Sequence, residues 1–239
     1  MRDGQQEAPR RDLPDIRVPR ARHITTFVAL LTLLILPDLV GPFPTLHWLL
    51  DLAFALFIVS GVVEVRRSWR VLAALGVVAL TVRVAGPWLE PAHSGPAGLA
   101  VLLLFLLFLT ARILISIFHA PRVTGDTLIG SINGYLVVGL SFAVAFSLLE
   151  LLWPGSLQSG GAALFTEVTS KTILVDGAGY FSFVTLTTLG YGDIVPVAPA
   201  ARTLAVLEAV IGQLYVAILI AWLVSQLQRS SGGSGADGP

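Results

Sequence analysis

Cysteine is absent from this chain of 239 residues, and Lys171 is its only lysine. No disulfide, thiolate nucleophile or zinc–thiolate site is available, and the absence says nothing of compartment. Charge is scarce too: 13% of residues are Asp, Glu, Lys or Arg, about half the share in a soluble globular domain. The net charge is zero, which argues for neither nucleic acid nor a strongly acidic partner. With 55% hydrophobic residues and a mean hydropathy of +0.82, lipid is the expected solvent. What charge there is lies unevenly. Arg2, Arg10, Arg11, Arg17, Arg20 and Arg22 crowd the first 22 residues, where Pro9, Pro14 and Pro19 also fall. This segment reads as a disordered basic tail. The apolar run that follows is too long for a cleaved signal peptide.

About 20 mostly apolar residues are needed to cross about 30 Å of hydrocarbon. Six stretches qualify, at approximately 24–41, 46–64, 70–88, 97–118, 127–152 and 202–227. Pro37 is expected to kink the first or end it early, and the third, with Arg83 near its end, is the least apolar in character. The basic tail, the turn Arg66-Arg67-Ser68-Trp69-Arg70 and the connector with Arg122 alternate with connectors 42–45 and 89–96, which hold no Lys or Arg. The positive-inside bias then puts both chain ends in the cytoplasm. The segment 153–201 is too polar and Gly-rich to face lipid. Irregular backbone at membrane depth is tolerated only where protein buries it or water lines it. The segment is therefore expected to dip into the membrane from outside, with a short helix from about Gly179 to Thr187 and a returning strand.

That strand is Thr188-Leu189-Gly190-Tyr191-Gly192, followed by Asp193. Glycine at alternate positions allows a backbone of alternating handedness, and consecutive carbonyl oxygens can then point the same way. Rings of such oxygens replace the water shell of a potassium ion. Thr188 adds a hydroxyl at the inner mouth, Tyr191 a ring to hold the diameter, and Asp193 negative charge outside. One strand cannot surround an ion, so a homotetramer is expected, with closed symmetry. The bland alternative is a Gly/Thr-rich extracellular turn.

With Thr187 ahead of it and Tyr180-Phe181-Ser182-Phe183-Val184-Thr185-Leu186 upstream, the motif resembles the potassium channel superfamily. The upstream stretch is similar to pore helices of two-pore-domain and bacterial six-span channels. The resemblance covers roughly 127–227; the first four spans match only in number and topology. It implies potassium held at Thr188, Leu189, Gly190 and Tyr191, with Gly192 completing the filter. Asp193, Tyr180, Val184 and Thr187 are its expected support. Two departures stand out. Leu189 replaces the more usual Val or Ile, and Val184 stands where some bacterial relatives carry a glutamate that pairs with the outer aspartate. Tyr180 is expected to donate to Asp193 instead.

In the last span Gly212 lies where relatives place a hinge glycine, close helix packing being the competing reason. The resemblance puts Gln213, Val216, Ile220 and Val224 on the cavity side, on one helical face. Glu208 is expected to make a structural contact behind the pore helix. A voltage sensor would need several regularly spaced arginines. The fourth span has Arg112 alone, which is read as snorkelling or pairing with Glu64, and Arg83 as an interfacial anchor. The connector, broken by Pro121 and Gly125, is too short for a lever helix, so each four-helix unit is expected to pack on its own pore domain.

The expected architecture is an all-α membrane protein with six transmembrane helices, a re-entrant pore helix and a filter loop. Its segments are a basic tail 1–22, a four-helix sensor-like domain 23–118, a connector 119–126, a pore domain 127–228 and a flexible tail 229–239. The expected function is passive potassium conduction at the cell membrane without conventional voltage gating. A weakly selective cation channel is the alternative, and a transporter a more distant one. No cofactor beyond the permeant potassium, no enzyme activity and no soluble ligand domain are expected. The partners are other copies and membrane lipid, the latter held by the basic tail if that tail is more than a topology signal.

Overall fold

The computed structural model describes residues 22–40, 43–46, 48–64, 69–85, 91–119, 124–164 and 177–232. The basic tail up to residue 21, Arg66–Ser68, Arg122 and the last seven residues lie outside them, as do the side chains of Glu64 and Arg83. The elements are α1 (Arg22–Val40), a 3-10 turn (Pro44–Leu46), α2 (Trp48–Glu64), α3 (Trp69–Ala85), α4 (Pro91–Phe118) and α5 (Gly125–Leu152). Then come β1 (Leu157–Ser159), β2 (Ala162–Ala163), α6 (Ala178–Leu186), β3 (Ile194–Pro196) and α7 (Pro199–Gly232).

Apolar residues surround these helices on all sides, the pattern of helices buried in protein or lipid. Several of their hydroxyls are satisfied within the helix. Thr32, Thr81, Thr110, Ser131 and Ser141 each donate to the carbonyl four residues back, which removes a polar group from an apolar surface. Among the described residues, three helices are long and apolar enough to cross a membrane: Gly95–Phe118, Gly125–Leu152 and Pro199–Gln226. The other three expected spans appear as shorter apolar helices, His23–Pro37, Trp48–Val63 and Arg70–Val82. Pro37 does not end α1, which continues to Val40.

One core joins α1 to α4 with α5. It runs from Leu30 and Leu33 through Phe57, Phe105 and Leu109 to Val137, Leu140 and Val144. Phe57 and Phe105 meet edge to face with centroids 6.2 Å apart. The four-helix unit therefore packs on α5 of its own chain. At the other end, Thr124 caps α5 in a reciprocal box with Thr127. Asn133 Nδ2 donates to the His23 carbonyl at 2.9 Å and His23 lies 3.4 Å from Asp126, fixing the start of α1 beside the start of α5.

A small antiparallel sheet of order β2-β1-β3 departs from the all-helical expectation. It pairs Gln158 with Val195, so the chain just beyond Asp193 is tied to the turn after α5. Buried Glu150 shapes that turn, accepting from Gly155 N at 2.5 Å and Leu157 N at 2.9 Å. Two smaller differences concern ends. The short helix α6 spans Ala178–Leu186, one residue earlier than expected, and α7 runs on to Gly232, into what was expected to be flexible tail.

Candidate ion pathway

Helix α6 ends at Leu186, and its last turn anchors the strand that follows. Thr188 N donates to Thr185 O at 2.9 Å, Leu189 N to Val184 O at 2.9 Å and Gly190 N to the same Val184 oxygen at 3.3 Å. Val184 thus supports the strand through its carbonyl, while its side chain lines a groove with Leu33, Leu39 and Phe183. Thr187 caps the helix, its hydroxyl donating to Phe183 O at 2.6 Å.

Along the strand φ is positive at alternate residues: 58° at Thr188, 56° at Gly190 and 79° at Gly192. Leu189 and Tyr191 stay negative. In an ordinary strand successive carbonyls point to opposite sides. Alternating the sign of φ is what a row of like-facing carbonyls requires, and glycine is the residue that adopts it without a Cβ penalty. Residues 187 to 193 are all exposed on the single chain.

The far end of the strand is held by Tyr180, whose hydroxyl donates to Asp193 Oδ2 at 2.7 Å. Asp193 Oδ1 also accepts from Ile194 N at 3.1 Å. The hydrogen bond to Asp193 raises the pKa of the Tyr180 phenol above its ordinary 10, so the donor keeps its proton through the physiological range. The near end, at Thr188, is held more loosely, with Gln213 Nε2 3.4 Å from the Thr188 hydroxyl.

Behind the strand, α7 meets α6 and α5 along one face. Gly212 lies against the end of α6, where an added Cβ would run into the Leu186 carbonyl oxygen. This contact accounts for glycine on packing grounds, whether or not the helix bends there. Glu208 is fully buried and 2.5 Å from the Ser182 hydroxyl of α6, a structural contact behind that helix as its position suggested. Tyr215 donates to Ser131 O at 2.6 Å, and Tyr135 to Leu186 O at 3.3 Å. On another face of α7, Gln213, Val216, Ile220 and Val224 are all exposed. Phe118 at the end of α4 meets Trp222 of α7 edge to face, centroids 6.2 Å apart.

Arg112 is the only Arg or Lys in α4, and its buried Nε has no hydrogen-bond partner among the described residues. No cluster of His, Asp or Glu suited to a metal occurs among the described residues. Sequence reasoning missed Ser182, Glu150, the β1–β3 pairing and the Phe118–Trp222 contact. Of these only Glu150, an acidic residue closing an apolar run before Pro154-Gly155, left a visible signal.

Residues 135–229 match the family described as Ion channel. The match covers most of α5, all of α6 and the strand, and nearly all of α7. It is a family of channels, not of enzymes. The chain is 37% identical over 91 residues to Two pore potassium channel c of Oryza sativa subsp. japonica, covering 38% of this chain and 17% of the relative. It is 32% identical over 103 residues to Inward rectifier potassium channel Kirbac3.1 of Paramagnetospirillum magnetotacticum, covering 41% and 29%. It is also 28% identical over 104 residues to Protein LctB of Bacillus caldotenax, covering 41% and 71%. The chain thus spans less than a third of the length of either potassium channel. No solved structure matches it.

Proposed function

We propose that four copies of this chain form a potassium-selective pore in the cell membrane, lined at its narrowest by the carbonyls of residues 188–191. The observation that carries this reading is the alternation of positive φ at Thr188, Gly190 and Gly192, on a strand whose N–H groups are drawn back to α6. Both potassium-channel relatives carry that word in their names, which supports the choice of ion. The tetramer is supported by α7, of whose membrane-crossing window only 11% is buried within the chain. Neighbouring copies would cover its apolar residues, and Gln213, Val216, Ile220 and Val224 would face the cavity below the filter.

In this reading all six apolar helices cross the membrane, with both ends cytoplasmic. The shorter ones reach roughly 26 Å for 17 residues, close enough to the hydrocarbon thickness for modest thinning or snorkelling to close the gap. Gating by voltage through α1–α4 is not part of the proposal, since one arginine in α4 moves too little charge. Potassium is the permeant ion, and no cofactor or soluble ligand domain is invoked.

The experiment is potassium flux from proteoliposomes holding the pure protein, with Gly190→Ala beside it. A Cβ on a left-handed residue costs about 1–2 kcal/mol and disturbs the carbonyl row in all four copies. Flux should fall at least about tenfold. A variant that conducts like its parent would remove the filter assignment.

A further inference from the structure

We propose that Glu208 is held as a neutral carboxylic acid, its proton completing a hydrogen-bond chain from Glu208 through Ser182 to Gly139 that positions α6 between α7 and α5. The proposal rests on the pore reading for its consequence, because α6 carries the strand 188–192.

Two short oxygen–oxygen contacts meet at Ser182. Ser182 Oγ lies 2.7 Å from the Gly139 carbonyl oxygen and 2.5 Å from Glu208 Oε1. Each is a hydrogen-bond distance between two oxygens, so each line needs a proton. A serine hydroxyl has one proton and can accept two. The carbonyl of Gly139 has none to give. If Ser182 donates to Gly139, the second proton must come from Glu208. If Ser182 turned to an ionised Glu208, its lone pairs would face the Gly139 oxygen at 2.7 Å with nothing between them.

The surroundings agree. Glu208, Ser182 and Gly139 are all buried. Glu208 Oε2 has no partner among the described residues, and no described Arg or His forms an ion pair with it. An ionised carboxylate would place charge on that orphan oxygen with no counter-charge or donor to offset its desolvation. The carbonyl oxygen of a neutral acid carries far less. Tyr135 on α5 is the titratable side chain facing Glu208. On α6, Tyr180 is engaged with Asp193 at the outer mouth, and on α7 Tyr215 is bonded to Ser131. The Phe183 ring packs where a Cβ on Gly139 would sit, 2.7 Å away, so α6 has little freedom to slide once the chain of bonds is made.

The test uses the full chain in lipid vesicles. Infrared spectra at neutral pH should contain a carboxylic C=O band that Glu208→Gln removes. Glu208→Gln can still donate to Ser182, so potassium flux should stay within about twofold of the parent; Glu208→Ala, which cannot, should lose about tenfold. As pH rises the parent loses its proton to water, the chain of bonds breaks and flux falls. Glu208→Gln has no proton to lose there and should stay flat over the same range. Tyr135 is present in both, so the difference belongs to Glu208. If Glu208→Ala fails to assemble, the band and the Gln profile still decide. A parent spectrum with only carboxylate bands, or superimposable pH profiles, overturns the proposal. A band that disappears in Glu208→Gln, with no potassium flux from any of the proteins, supports the neutral acid and overturns the pore reading instead.

Discussion

Thr188 is the one described residue with a side chain that takes a positive φ, a conformation costing about 1–2 kcal/mol. Strain of that kind persists only where the surroundings over-determine it. Here Thr188 N is bonded to Thr185 O and the next two N–H groups converge on Val184 O. The other end of the strand is fixed by a side-chain pair, Tyr180 with Asp193. Tyr180→Phe and Asp193→Asn should each reduce steady potassium flux, and the double variant should be no worse than the stronger single one, since both remove the same bond. Additive losses would mean the two residues act separately. The pH dependence has a definite sign. The phenol's pKa is raised, so its contribution is complete below pH 10 and is lost as pH climbs through the raised value. Glycine spacing pointed to this strand in the sequence, and the Tyr180–Asp193 pair was expected only from the resemblance to channels that carry a glutamate where Val184 stands. Ser182 was not legible. A serine in an apolar helix bonds its own backbone more often than a neighbour, and only the crossing of α5, α6 and α7 reveals that this one does not.

The six apolar stretches became six helices, with α1, α2, α3 and α5 matching within three residues at each end, while α4 begins at Pro91 rather than at residue 97 and α7 runs to Gly232 rather than to residue 227. The β1–β3 pairing was invisible, because three-residue strands leave no alternation to detect, and the turn they share is set by Glu150 rather than by its own residues. Helix α7 shows what one face can carry. Glu208, Gly212, Tyr215 and Trp222 each make a specific contact inward, while the opposite side is bare. Gly212→Ala puts a methyl against the Leu186 carbonyl. Overpacking of this kind costs about 1–3 kcal/mol, so the thermal midpoint of the assembled protein should fall. Unchanged thermal stability with altered opening would favour bending at 212 over packing as the reason for glycine.

For the molecule as a whole, the shared core of α1–α5 puts the first four helices on α5 of the same chain, and the Phe118–Trp222 contact joins α4 to the far end of α7. The absence of native cysteine makes this easy to check. Phe118→Cys with Trp222→Cys, treated with a short thiol cross-linker, should run at monomer mass under denaturing conditions. A ladder of oligomers would mean that the contact is made between copies. Composition could announce a membrane protein and the motif could announce the strand, but the docking of one unit on another depends on which apolar surfaces fit, and all of them look alike in sequence.

The central claim is that a row of backbone oxygens takes the place of water around potassium and does so poorly around sodium. Reversal potentials recorded from purified protein in planar bilayers, with potassium on one side and sodium on the other, test it most directly. The account predicts a potential lying near the potassium equilibrium value, following the potassium gradient when it is changed. A potential that stays near zero when the two ions are exchanged would contradict it.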